Sequence, residues 1–222
     1  MTIPVFTERR RRLSQLDLSR AIEAAVQGGA HVINISGGQL TNAGEAEKWL
    51  EHAIQLCADN NVLVVAAAGN DGCQCLHVPA ALPTVLAVGA MDDRGNPVEF
   101  SNWGQVYQAQ GILAPGSEVL GARPGGGTAQ ITGTSMAAPI VSGIAGLLLS
   151  LQLDAGREPD PGAVRAAILH GAVPCDASKV GDCSRFFGRH PQRQWCRTSV
   201  ERNRKERDTD VGTFTTCGID CR

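Results

Sequence analysis

Two strings in this 222-residue chain hold residues whose types and spacing could do chemistry together: Gly133-Thr134-Ser135-Met136-Ala137-Ala138-Pro139 and Ala66-Ala67-Ala68-Gly69-Asn70. Ser135 opens a long apolar stretch and reads as the first turn of a helix. There its backbone N–H faces whatever is bound, and the helix dipole favours developing negative charge, which makes half of an oxyanion hole. The same serine could simply cap the helix. Asn70 offers a carboxamide donor for the same charge, or an Asn-Asp-Gly turn and nothing more. Of the eight cysteines, Cys73-Gln-Cys75 is spaced too tightly for a C-x2-C zinc knuckle and no second pair completes it, so no metal site and no cofactor are expected. The thiols are read as reduced.

These residues need elements to hold them. Leu18, Ala21, Ile22, Ala25 and Val26 recur at helical spacing over about residues 17–27, with Ser14 as cap and Gly28-Gly29 as stop. Residues 32–35 read as a buried strand, and residues 37–42 as a loop. A second helix is expected over about 43–58, with Trp49, Leu50, Ala53, Ile54 and Cys57 inward. Residues 62–67 form a continuous β-branched run suited to a central strand covered on both faces, and strands are expected at 85–88 and 112–114. A long helix follows Ser135, with Ile140, Val141, Ile144, Leu147, Leu148 and Leu151 inward, and with Ala137, Ala138, Gly143 and Gly146 allowing close approach. Residues 161–169 make a last short helix. That order predicts an α/β fold with a largely parallel sheet.

The string around Ser135 resembles the nucleophile motif of subtilisin-like serine proteases, and further landmarks follow in that family's order. They are Val32-Ile-Asn-Ile-Ser36-Gly37-Gly38, the Asn70 string, Phe100-Ser-Asn-Trp-Gly104 and Leu113-Ala-Pro-Gly116. The resemblance spans residues 3–183 and implies a subtilisin-like three-layer fold, incomplete at the N-terminus. It implies Ser135 as nucleophile and Asn70 as oxyanion donor. Ser36, Gly37 and Gly38 would pair with an extended peptide as an added strand and, with Ala67, Ala68 and Gly69, wall the pocket for the residue before the scissile bond. A narrower resemblance, carried by Pro4-Val-Phe, residues 10–20, residues 70–83 and residues 110–116, is to the proteases of cyanobactin maturation. These cleave ribosomally made precursor peptides, and the leader-removing type is nearer than the macrocyclising one; Met136-Ala137-Ala138 is closer to ordinary subtilisins.

By the same resemblance the family's aspartate and histidine precede the point where this chain starts. His31 and His77, the histidines nearest the motifs, occupy neither position. The expectation is a serine endopeptidase fragment, inactive alone, its partners a peptide substrate and a separate chain supplying the missing segment; the alternative is a non-catalytic peptide-binding pseudoprotease.

Composition agrees with a folded domain: 43% hydrophobic, 19% charged and net charge −2. Residues 1–184, the expected peptidase domain, hold 11 Lys+Arg against 17 Asp+Glu, whereas residues 185–222 hold 9 against 5 and read as a disordered basic tail. Charge runs are usually only solvated, so nucleic acid is not the expected partner. No apolar run is read as reaching the about 18 residues a membrane span needs, and no signal core is seen, so a cytoplasmic protein without membrane contact is expected.

Overall fold

The computed structural model describes residues 1–5, 14–180 and 182–187, all within one unit, Met1–His190. Its centre is a four-stranded parallel sheet in the order β1 (Val32–Ile35), β3 (Leu63–Ala67), β5 (Leu86–Met91), β6 (Gly111–Pro115). The strands alternate between two cores with the period-two geometry of extended chain. In β3, Val64 and Ala66 join Leu18, Ile22, Leu50 and Ile54 from α1 (Gln15–Gln27) and α2 (Lys48–Asp59) on one face. Leu63, Val65 and Ala67 join Ala137, Val141 and Leu149 of α4 (Thr134–Asp154) and Val164 of α5 (Pro161–Gly171) on the other. The result is helix on sheet on helix, the three-layer α/β arrangement expected from the sequence. Each fully buried valine or leucine of β3 and β5 contributes roughly 1.5–3 kcal/mol, which makes these two strands the anchor of the domain.

Helix ends follow local chemistry. Ser14 Oγ accepts from the Asp17 N–H at 3.4 Å, and Gly29 takes the left-handed turn (φ 77°) after α1. Asp160 caps α5 through the Ala163 N–H at 3.0 Å, with Pro161 at the first helical position. Helix α2 starts at Lys48 rather than near residue 43, because residues just before it are used otherwise: β2 (Gln39–Thr41) pairs antiparallel with β4 (Leu76–Val78), and Thr41 Oγ1 accepts from the Gly44 N–H at 2.9 Å. At three residues each, β2 and β4 are too short for a period-two pattern to be read from sequence. Shortness likewise hides the hairpin β7 (Val119–Ala122) with β8 (Thr128–Ile131) and the helices α3 (Gln105–Gln110) and α6 (Ala177–Val180).

Several expectations are corrected. Trp49, expected inward on α2, is 63% exposed. On α4 the buried residues are Thr134, Ala137, Ala138, Val141, Ala145 and Leu149, while Ile144, Leu147 and Leu151 lie on the opposite, open side. A side chain at Gly143 or Gly146 would meet nothing, so these glycines permit no close approach. A helix apolar all round does not reveal its inner face by periodicity; the sheet selects it. Helix α4 is also long and apolar enough to cross a membrane (mean hydropathy 1.8), which a search for unbroken apolar runs misses because Ser, Gly and Gln interrupt it. Here one face of it packs on the sheet.

Four cysteines read as thiols are paired as Cys73–Cys75 and Cys175–Cys183, with Cα separations of 5.2 and 5.8 Å that fall in the bridging range. Cys57 is a buried free thiol whose pKa burial pushes up to about 12, which keeps it unreactive. The expected tail boundary also moves. Phe187 is buried against Tyr107, with ring centroids 5.4 Å apart, and Arg185 donates to the carbonyls of Val98 and Glu99. The rest of that tail lies outside the described residues.

Candidate active site

Parallel strands deliver their C-terminal ends to one edge of the sheet, and that edge is where α/β proteins place their chemistry. Register puts Ile35 opposite Ala66, so the segments that follow, Ser36 to Gly38 and Ala67 to Asn70, leave the sheet side by side. Helix α4 arrives at the same edge. Its start is fixed by Gly116, whose carbonyl accepts from the Gly133 N–H at 2.8 Å and whose own N–H donates to the Met91 carbonyl. A Cβ at Gly116 would lie 2.5 Å from the Ala90 Cβ, so only glycine permits this approach.

At that edge Ser135 is half-buried, and its Oγ donates to the Ser36 carbonyl at 2.9 Å. Asn70 is tied by one end only. Its Oδ1 accepts from the Thr134 N–H and the Thr134 hydroxyl, both at 2.9 Å, which leaves the Nδ2 end of the carboxamide as a free donor. The Ser135 N–H, in the first turn of α4, also has no partner among the described residues. The two donors converge: a Cβ placed on Gly133 would lie 3.5 Å from Asn70 Nδ2 and 3.8 Å from the Ser135 nitrogen. Two unpaired N–H donors whose nitrogens lie near one point beside a serine hydroxyl can stabilise an oxyanion formed by attack of that hydroxyl on a carbonyl.

Thr134 is the hub that holds this arrangement and was not singled out as a site residue from the sequence. Wholly buried, it accepts from the Gly69 N–H at 3.3 Å while bonding Asn70, so one side chain fixes the Ala67–Asn70 segment against α4. Ser142 Oγ makes a second tie, donating to Asn34 Oδ1 at 3.0 Å.

Behind Asn70 lies a second network that sequence reasoning also missed. The fully buried Asn102 donates through Nδ2 to the Ala68 carbonyl (3.2 Å) and to Asp71 Oδ2 (2.9 Å), and accepts at Oδ1 from the Asp71 N–H (2.8 Å). His77 Nε2 pairs with Asp71 Oδ2 at 2.6 Å. These partners, Asn102 first and His77 after it, hold the Asp71 carboxyl below the usual carboxylate range against the opposing effect of partial burial. Tyr107 Oη donates to the Ala68 carbonyl at 3.1 Å and accepts from the His77 N–H at 2.7 Å; burial pushes its phenol up to about 12, so it stays a neutral donor. The Phe100-Ser-Asn-Trp-Gly104 string, legible only as a structural landmark, is thus the clamp under the Asn70 loop.

Of the residues expected at the site, Ser135, Asn70, Ser36 and Gly69 are joined by the bonds above, and Ala67 and Ala68 are buried in the segment leading to Asn70. Gly38 and Gly69 flank the His77 ring, as close contacts at both show. Gly37 lines a groove of about 750 Å³ that runs along β1, with Met1, Ile3, Val5, Ile33 and Ser36 also on its wall. His31 lines that groove as well. Among the described residues no imidazole is bonded to Ser135 Oγ, and no cluster of His, Cys, Asp and Glu is arranged to hold a metal.

Comparison with known proteins places the whole chain. The sequence model of the Subtilase family matches residues 2–208. The chain is similar to the solved structure of the prenylagaramide maturation protease PagA, at 64% identity and TM-score 0.81, over 84% of this chain and 68% of that one. It is similar to the PatG macrocyclase in complex with peptide at 46% identity and TM-score 0.75, over 79% of this chain and 55% of that one. Alkaline elastase YaB of Bacillus sp. (strain YaB) is 38% identical over 131 residues, 59% of this chain and 33% of that protein. The chain therefore spans between about a third and just under a half of the length of the curated relatives it matches.

Proposed function

The chain belongs to the subtilase family of serine peptidases, and from that premise we propose that it supplies the nucleophile and oxyanion-binding half of an endopeptidase that matures ribosomally made precursor peptides of the cyanobactin kind. The observation that carries this reading is the tethering of Asn70. With Oδ1 engaged by Thr134, Nδ2 can only donate, and it donates into the space that the Ser135 N–H also faces. Ser135 Oγ adds to the scissile carbonyl, and the carbonyl oxygen becomes an oxyanion held by those two N–H groups. The C–N bond then breaks, the serine proton passes to the leaving amine, and water releases the acyl group. A protein base must relay the proton, and an acidic group must orient that base.

Both groups come, in this reading, from a segment carrying a histidine and an aspartate that docks along the outer edge of β1. Three features favour that position. The outer edge of β1 has no neighbouring strand among the described residues, the groove of about 750 Å³ follows it, and Ile144, Leu147 and Leu151 of α4 leave an apolar stripe open. The 64% identity to PagA, against 46% to the macrocyclase, favours cleavage over ring closure.

The test uses a fluorophosphonate probe and a fluorogenic peptide. Assayed alone, the chain shows neither labelling of Ser135 nor cleavage above background. Adding the histidine- and aspartate-bearing segment brings both, and Ser135→Ala removes them. Stoichiometric labelling of the chain alone would show that a base is already present and would overturn the split-site reading. A complemented complex that binds peptide and never cleaves would make the protein a peptide-binding pseudoprotease.

A further inference from the structure

Granting the peptide-cleaving reading, which this role presupposes, the Asn70 amide must be aimed as well as free. Thr134 ties the Oδ1 end of the side chain, but the direction of Nδ2 also depends on where the backbone on either side of Asn70 sits. That backbone is laid against segment 100–103 by three bonds. The Gly72 N–H donates to the Phe100 carbonyl at 2.8 Å, the Asn102 N–H to the Gly69 carbonyl at 3.0 Å, and the Trp103 N–H to the Cys73 carbonyl at 3.1 Å.

Between those bonds the wholly buried Asn102 side chain fills the curve of the loop. Its Nδ2 donates to the Ala68 carbonyl and the Asp71 carboxylate, and its Oδ1 accepts from the Asp71 N–H. With its own N–H on Gly69, Asn102 holds both residues before Asn70 and the one after it, and both Nδ2 hydrogens are used. The loop wraps this side chain closely: a Cβ on Gly69 would lie 2.3 Å from Asn102 Nδ2, and Gly69 has φ 105°, so only glycine serves there. Asn102 itself bonds neither Asn70 nor Ser135, so it reaches the chemistry only through the loop it shapes. We propose that Asn102 is a positioning residue: by holding the backbone on both sides of Asn70 it sets where Asn70 Nδ2 meets the developing oxyanion, and it has no part in binding the peptide.

A double-mutant cycle on the complemented complex tests this, with steady-state kinetics on a fluorogenic peptide and thermal unfolding to confirm that each variant is folded at the assay temperature. Asn102→Ala should lower kcat by about 10- to 100-fold, the loss expected when a catalytic group is displaced by about an ångström, and should leave KM within about twofold. On the Asn70→Ala background the same substitution should lower kcat almost no further, because the donor that Asn102 aims is gone. Where Asn102→Ala does not fold, Asn102→Ser, which keeps one hydroxyl to bond the loop, replaces it in the cycle with a smaller loss. General loosening of the fold would instead raise KM and lower kcat as much on the Asn70→Ala background as on the wild type. That result, or an unchanged kcat in the folded variant, overturns the proposal and leaves the peptide-cleaving reading intact. A wild-type complex that does not cleave overturns that reading instead, and this proposal with it.

Discussion

The two sides of Ser135 are built to different degrees. On the Asn70 side the loop is bonded from several directions: Thr134 accepts from the Gly69 N–H and bonds Asn70 Oδ1, and Asn102 and Tyr107 donate to the Ala68 carbonyl, while Asn70 Nδ2 and the Ser135 N–H have no partner among the described residues. On the β1 side a strand edge lies open, and the outer stripe of α4 shows Leu147 at 69% and Leu151 at 61% exposure. A preorganised oxyanion site depends on fixed dipoles, and fixed dipoles need buried, fully bonded neighbours. A surface meant for a docking segment needs the opposite, apolar area that remains uncovered until the segment arrives. The proposed division of labour, charge stabilisation by this chain and proton transfer by a docking segment, rests on this difference.

The comparison is broken most sharply by catalysis. In the complemented complex Ser135→Ala should lower turnover by about a million-fold, the order of loss when a subtilisin loses its nucleophile. Asn70→Ala should lower kcat by about 100- to 1000-fold with peptide binding nearly unchanged, because its amide acts on charge that exists only in the transition state. Equal loss of binding and turnover would make Asn70 a turn residue. Steady-state kinetics beside peptide titration separates the two.

Stability measurements address the same contrast. Asn102→Ala removes the partner of the Asp71 N–H and one of the two donors to the Ala68 carbonyl, which keeps Tyr107, and should cost about 1–3 kcal/mol in urea unfolding. On α4, Val141→Ala on the buried face should cost about 2 kcal/mol. Leu147→Ala on the open face should stay within about 0.5 kcal/mol for the chain alone and weaken complementation instead. Similar costs at both positions would mean that the open face is already covered in solution.

The smallest effect is a pH dependence. The folded-state pKa of Asp71 is depressed below its unfolded value of about 3.9. Its stabilisation is therefore present above that value and lost as pH falls through the lower folded one. Asp71→Asn should be less stable than the wild type at pH 6, and the gap should close toward pH 3, as read from urea midpoints.

Sequence patterns alone determined the strands β1, β3 and β5, helices α1 and α5, and the adjacency of Ser135 to a helix start, because period-two and 3.6-residue spacing and glycine stops act locally. The family resemblance added roles for Ser135, Asn70, Ser36 and the glycines. The inner face of α4, the exposure of Trp49, the β2–β4 pairing, the cysteine pairs and the Asp71–His77–Asn102 network were decided by tertiary structure. Apart from the cysteine pairs, which close over two and eight positions, these depend on residues distant in sequence meeting in space: Asn102 lies 31 positions from Asp71, and Thr134 lies 64 from Asn70. A helix apolar on all sides carries no signal for its inner face, and the His77 position carries none for its bond to Asp71; only tertiary packing, which fixes which segments meet, supplies both.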